Sequence, residues 1–312
     1  MAAFFSATQD ISLDAYRIEL HSDEEMAAGI ATYVLGYRIS LIVSGAGALY
    51  LAEFYSWELA FIVMAFCFLL GPIILIFMPN IDKKNTKNTK HEILIKKISN
   101  WIKYSVMEPF IEFLKRPNWI IILLFIALYK LGDALAGNMT TPFLLDIGFS
   151  KIDIANIVKL FGLLATLGGL FLGGLIVSKL GLLFALVLGG ILQMLSNLVF
   201  AALAIFSSNY YLLVATISVE NVSGGLGTAA FLAYISKLTN IKYTATQFAL
   251  LTSFMALSRT QLSAPSGWLV EGINWERYFS FLYVGNLDWV CFFVLTVLLS
   301  IPALLIVFRA AK

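Results

Sequence analysis

Eight ionisable side chains stand inside or beside apolar runs of this sequence: Asp10, Asp14, Arg38, Lys130, Asp133, Lys159, Glu220 and Arg259. That is four acids against four bases. On insertion scales an ionised group at the middle of a bilayer costs roughly 2.5–3.5 kcal/mol, so such groups face an interior cavity and pair there. Two kinds of chemistry are open to them. Bases on a polar path bind an anionic solute, and a carboxylate in low dielectric takes up a proton. Arg38, Lys130, Asp133, Lys159, Arg259 and the neighbouring amide of Asn221 are the expected lining of such a path. Lys130 and Asp133, at i and i+3, also suit a purely local ion pair on one helix. Glu220 has no basic residue within one helical turn, which makes it the first candidate for a proton-carrying group, with Asp10 and Asp14 next. The competing reading is that Glu220 bonds only to Asn221 or to a neighbouring helix.

The sequence offers no set of groups for soluble-type catalysis. It has no phosphate-cradling glycine loop, no metal-spaced histidine pair and no nucleophile–His–Asp set in a workable order. His21 and His91 are isolated in polar segments, and Cys67 and Cys291 lie in apolar runs. No metal, cofactor or disulfide framework is expected from them. The expectation is a protein that is not an enzyme and does not bind nucleic acid.

The elements that must position the charged residues are membrane spans. The sequence is 60% hydrophobic, against 45–50% for soluble domains, and the excess is gathered into runs of about 20 residues, enough to cross a hydrocarbon core. In lipid every backbone polar group must be satisfied within its own segment, so these runs read as helices. A short stretch, Met1–Leu20, comes first and lacks the basic start and small-residue cleavage site of a signal peptide. Spans follow near Met26–Leu51, Trp57–Met78, Asn118–Pro142, Asp153–Ser178, Leu182–Phe206, Tyr210–Lys237, Thr246–Val270 and Trp289–Phe308. Between the third and fourth of these stretches lies a Lys-rich segment from Pro79 to Pro117. Within it, Glu92–Phe113 has the spacing of a basic amphipathic helix on the membrane surface.

Charge sets the orientation. With the Lys-rich segment placed in the cytoplasm, strict alternation puts Arg17, Lys103, Lys115, Arg116, Lys179, Lys237, Lys242 and Arg309 on the same side. The outer side keeps only Lys151 and Arg277. This is the positive-inside pattern, and one missed helix would scramble it. The expected division is a partial bundle over 1–78, a basic cytoplasmic loop over 79–117 and a six-helix bundle over 118–312, with a cytoplasmic C-terminus. Gly168, Gly169, Gly173 and Gly174, and Gly224 with Thr228, have the small-residue spacing of close helix packing.

Several stretches resemble one family. Ser6-Ala7-Thr8-Gln9-Asp10 with Leu13-Asp14-Ala15-Tyr16-Arg17 is similar to the fourth-helix motif of the AmpG-type muropeptide permeases, and Gly36-Tyr37-Arg38 to their fifth helix. Tyr129-Lys130-Leu131-Gly132-Asp133-Ala134 and Thr141 to Phe149 resemble the seventh helix and its exit. Glu220-Asn221, Gly224 to Phe231 and Thr244 to Leu250 resemble the tenth helix and the start of the eleventh. The resemblance implies an all-α polytopic membrane protein of the major facilitator fold, lacking about the first three and a half helices. It implies a secondary transporter that imports anhydro-muropeptides with protons across a bacterial inner membrane for cell-wall recycling. It places Asp10, Asp14, Arg38, Lys130, Asp133 and Glu220 along the central path. The stretch Gly174 to Gly181 resembles the facilitator gating loop, with Ser178 where an acid is usual and with Lys179 and Gly181 in place. Two alternatives stay open: an acetyl-coenzyme A transporter of the same superfamily, and a non-transporting fragment. The short first half also leaves room for a separate chain that supplies the remaining helices. The expected partners are the lipid bilayer, an anionic sugar-peptide and protons.

Overall fold

The computed structural model describes residues 2–21, 25–78, 103–279, 281 and 284–311. Most of the Lys-rich segment, including the first part of the expected Glu92–Phe113 helix, lies outside the described residues. The described chain is helical. The helices are α1 (Ala2–Leu20), α2 (Met26–Ile42), α3 (Ala48–Phe54), α4 (Trp57–Phe77), α5 (Glu108–Leu114), α6 (Trp119–Leu128) and α7 (Leu131–Asp146). They continue with α8 (Gly162–Leu180), α9 (Leu182–Phe206), α10 (Tyr210–Leu238), α11 (Thr244–Ser263), α12 (Ser266–Glu271), α13 (Trp275–Phe279) and α14 (Leu287–Ala310). A wide π-type turn, Val43–Gly47, joins α2 to α3, and another, Ile154–Phe161, leads into α8.

Five helical stretches among the described residues are long and apolar enough to cross a membrane: Trp57–Phe77, Trp119–Asp146, Asn156–Leu180, Leu182–Phe206 and Leu287–Ala310. Helix α10 is the longest at 29 residues, about 44 Å at 1.5 Å per residue, yet it is not among them. Its polar residues explain why. Thr216 and Ser223 are buried and Glu220 and Asn221 half-buried, because α8 and α9 pack along this helix and shield it from lipid.

The helices end where alternation requires. At one end Ser208 donates to the Ile147 carbonyl, Asn286 to the Ala204 carbonyl and Trp289 to Asp146. At the other, Tyr234 donates to the Ala310 carbonyl and Arg116 to the Leu238 carbonyl. Lys115, Arg116, Lys237, Lys242 and Arg309 all belong to this second end, referred to below as the basic end.

Two expected spans are divided. The span starting at Asn118 is broken at Tyr129–Lys130 and then runs through Pro142 to Asp146. Neither proline nor glycine stands at the break. It is held by side chains: the Tyr129 hydroxyl donates to the Leu186 carbonyl, and Lys130 reaches across to α10. Gly132 then lets α7 meet α14 closely, since a Cβ there would lie 2.8 Å from the Thr296 carbonyl oxygen. The span Thr246–Val270 is divided at Ala264–Pro265, where proline's missing N–H ends α11.

Two apolar clusters form the interior. One, away from the basic end, contains Phe143, Phe200, Phe292 and Phe293 with residues of α7, α9, α10 and α12. The other lies towards the basic end and joins Ile18, Met26 and Ile30 of the first helices to Phe113 of α5 and to Phe248 and Leu251 of α11. Helix α4 is different in kind: Ala60 is its buried residue, and Phe61, Phe66, Phe68, Ile76 and Phe77 are exposed. In lipid such a face costs little, since tails are as apolar as the side chains.

Candidate transport site

The break between α6 and α7 carries a set of charged groups in the middle of the bundle. Lys130 sits at the first residue before α7 with φ −104° and ψ 8°. Its Nζ donates to Asp133 Oδ2 at 3.0 Å and to the Gly224 carbonyl oxygen of α10 at 3.1 Å. The same carbonyl accepts from Thr228 Oγ1 at 2.7 Å. One turn earlier on α10, Asn221 Nδ2 donates to Glu220 Oε2 at 2.6 Å and to the Ile217 carbonyl at 2.9 Å. Asn221 Oδ1 accepts from Thr166 Oγ1 of α8 at 2.7 Å. Glu220 also lies within electrostatic reach of Lys130 and Asp133. Three helical stretches thus bring Lys130, Asp133, Glu220 and Asn221 together, with Thr166 as a fifth member.

The set is not saturated. Asp133 Oδ1 is buried with no hydrogen-bond partner, and the Lys130 and Asp133 side chains are 16% and 21% exposed. A lysine that shares its three donors among a carboxylate and a carbonyl keeps capacity for an acidic or hydroxyl group of a solute. The close seat of α8 on α10 holds these groups in register. A Cβ on Gly169 would lie 2.2 Å from the Val222 carbonyl oxygen, and one on Gly225 would lie 2.4 Å from that of Thr166. Gly168, by contrast, faces open space.

The other sequence candidates lie apart from this set. Asp14 pairs with Arg17 at 3.3 Å, and Asp10 is exposed. Arg38 is half-buried with its Nε unpaired, and Lys159 and Arg259 are exposed. In the stretch resembling a gating loop, Gly174 is buried, and Ser178 Oγ donates to its own helix at Leu175 O, 3.0 Å away. Lys179 is exposed, and Gly181 ends α8 at φ +88°. Arg17, expected on the cytoplasmic side, is only 6% exposed, because its guanidinium lies over the rings of Tyr33 and Phe248, 5.4 and 5.3 Å from their centroids. Thr166 was missed by sequence reasoning. A helical threonine ordinarily bonds its own i−4 carbonyl, as Thr166 also does to Gly162 at 2.9 Å, so its type carries no sign of a cross-helix role.

A membrane-spanning helical bundle with a charged cluster at an interrupted helix, facing a second polar helix, is the build of a transporter. Residues 1–262 match the family model described as Major Facilitator Superfamily. The AmpG 4 protein of Rickettsia felis is 37% identical over 311 residues, which is 99% of this chain and 70% of that protein. The anhydromuropeptide permease of Escherichia coli K12 is 38% identical over 281 residues, 89% of this chain and 55% of the permease. An uncharacterized protein of Haemophilus influenzae is 38% identical over 324 residues and is covered to 70% of its length. The chain belongs to the Major Facilitator Superfamily and, within it, to the AmpG-type permeases.

Proposed function

We propose that this chain carries anhydro-muropeptides inward across the bacterial inner membrane for cell-wall recycling, driven by protons. The observation that carries the reading is the cluster Lys130–Asp133–Glu220–Asn221 at the α6–α7 break, on a chain 38% identical to an anhydromuropeptide permease. The substrate is a sugar-peptide with free carboxylates. Lys130 is placed to receive one of them by exchanging Asp133 for it, and Asn221 with Thr166 offers amide and hydroxyl partners to the sugar. Glu220 is the group we assign to the coupling proton. When protonated, it takes the set from one net negative charge to none, leaving Lys130 balanced by Asp133 alone, and so favours entry of the anion. Losing its proton on the cytoplasmic side restores the negative charge and helps release. Residues 79–117 are the cytoplasmic linker between the helices over 1–78 and the six-helix bundle over 118–312. The basic end is the cytoplasmic end, which places the C-terminus inside.

The test is uptake of radiolabelled anhydro-muropeptide into cells that lack any other such permease and express this chain. Accumulation abolished by a protonophore supports the reading. Uptake equal to that of the empty vector, with the chain present in the membrane, refutes it.

A further inference from the structure

The first helices enter only one of the two apolar clusters, the one at the basic end. There the contact between α1 and α11 rests on Arg17, which is buried between Asp14, Tyr33 and the ring of Phe248. The residue beside Phe248 is Gln247, and Gln247 is the hub of a dense polar network. Its Nε2 donates to the Pro109 carbonyl of the linker helix α5 at 3.1 Å and to Glu112 Oε2. Its Oε1 accepts from the Asn240 backbone N–H at 2.7 Å and from Arg116 Nη2 at 3.4 Å. Glu112 takes Arg116 through both oxygens at 2.8 Å, and Arg116 in turn caps the Leu238 carbonyl at the end of α10. Tyr243 donates to Glu108 at 2.6 Å, and Thr246 Oγ1 to the Ser105 carbonyl at 2.9 Å. Phe113 fills the apolar side of the joint, 8% exposed.

We propose that α5 is a bolt on the basic end: it fixes the α10–α11 turn where Phe248 meets Arg17, and it must let go before the two bundles part on that side. This rests on the transporter reading, because alternating access requires one bundle to rock against the other. The geometry assigns the two parts of the device. Arg17 over Phe248 is one contact between bundles, beside the seat of α2 on α8 and α10, and Glu112, Arg116 and Gln247 are positioning residues that act through Phe248. Of the expected helix over Glu92–Phe113 only the end lies within the described residues, and that end is docked on the bundle by charge-assisted hydrogen bonds.

The experiment reads opening, not transport, so its outcome is independent of the substrate. In a chain with Cys67 and Cys291 replaced by serine, Ile18→Cys places a thiol in the buried basic-end cluster, where Ile18 is 9% exposed. Inside-out vesicles are treated with a membrane-impermeant maleimide. Glu112→Ala and Gln247→Ala are each expected to raise the labelling rate about tenfold, the population shift for one lost charge-assisted hydrogen bond. Arg17→Ala is expected to raise it as much or more. A Ser105→Cys/Thr246→Cys pair joined by a short bismaleimide, added before a photocaged Ile18→Cys is exposed, is expected to hold labelling at its floor. It serves as the second test should the alanine variants fail to accumulate. Unchanged labelling in the Glu112 and Gln247 variants overturns the proposal, as does free labelling of the cross-linked chain. A rise with Arg17→Ala alone also overturns it, because α5 would then be a passenger.

Discussion

Replacing Lys130 and Asp133 singly and together separates their bond to each other from their service to a solute. Two unit charges 3.0 Å apart attract by roughly 5–6 kcal/mol at an effective dielectric of about 20. Much of that offsets the water each gave up, and side chains 16% and 21% exposed keep some of it. A net coupling of about 1–3 kcal/mol is therefore expected. Lys130→Met alone leaves Asp133 charged, with Oδ1 already unpaired, and Asp133→Asn alone leaves Lys130 with neutral acceptors and without its paired carboxylate. Each single change should cost about 2.5–3.5 kcal/mol, the insertion cost of an unmatched charge. The double variant should cost less than their sum by the coupling energy. Folded fraction against denaturant, measured in detergent, gives the cycle, and uptake of labelled muropeptide is read on the same three variants. The double variant should regain stability without regaining uptake. If it regains both, the pair is a brace between helices and the site assignment is wrong. A coupling below about 0.5 kcal/mol would show that the two charges face water separately.

The remaining predictions are shorter. Reporter domains fused after Lys90 and after Asn274 should fall on opposite sides of the membrane, Lys90 inside; finding them together refutes the orientation. Glu220→Gln should keep substrate counterflow, which needs no gradient, and lose proton-driven accumulation; accumulation with unchanged pH dependence removes Glu220 as the proton carrier. Burial pushes the Glu112 carboxyl up, but hydrogen bonds from Arg116, Gln247 and Asn240 outweigh it and hold the group below its ordinary value of 4.5. A lowered folded value means that its contribution is present above the ordinary value and is lost as pH falls through the folded one. The distance between spin labels at Ser105→Cys and Thr246→Cys should therefore be constant from neutral pH to about that value and lengthen only in stronger acid, with Glu108, Lys242, Tyr243 and Arg116 as the other charged and titratable groups at the joint. Glu112→Gln should flatten the profile. Gly169→Leu should separate α8 from α10 and destabilise the fold by at least the roughly 1–3 kcal/mol typical of overpacking, read as loss of folded protein after mild heating.

Much of the fold was legible because the bilayer imposes it. Runs of apolar residues mark helices, and strict alternation of their ends groups them, so the meetings seen at Ile147–Ser208 and at Tyr234–Ala310 follow from the order of the runs. The pairing of Lys130 with Asp133 was legible from its spacing. The break beside it was not, since no proline or glycine marks Tyr129–Lys130 and the anchors, Leu186 and Gly224, lie far along the chain. The burial of Arg17 was hidden for a similar reason. Near a helix end an arginine reads as a surface charge, and only the arrival of Phe248 from a distant helix encloses it. The α5 network was also illegible, because Glu112, Arg116 and Gln247 are ordinary polar residues in a loop and at a helix start until three elements converge.

The polarity of α10 bears on how the chain is made. A helix carrying Glu220 and Asn221 gains little from entering hydrocarbon alone. Its companions α8 and α9 precede it from the ribosome, and α8 already carries Thr166 and the glycine seat on which α10 rests. Insertion of α10 should therefore wait on these earlier segments, which act as a template beside the translocation channel, whereas α4, apolar on nearly every face, needs no such help. Emptying the α8 seat by Thr166→Ala, or blocking it by Gly169→Leu, would then leave newly made chains with α10 outside the membrane, where a glycosylation acceptor placed beyond its far end, near Asn240, would reveal it.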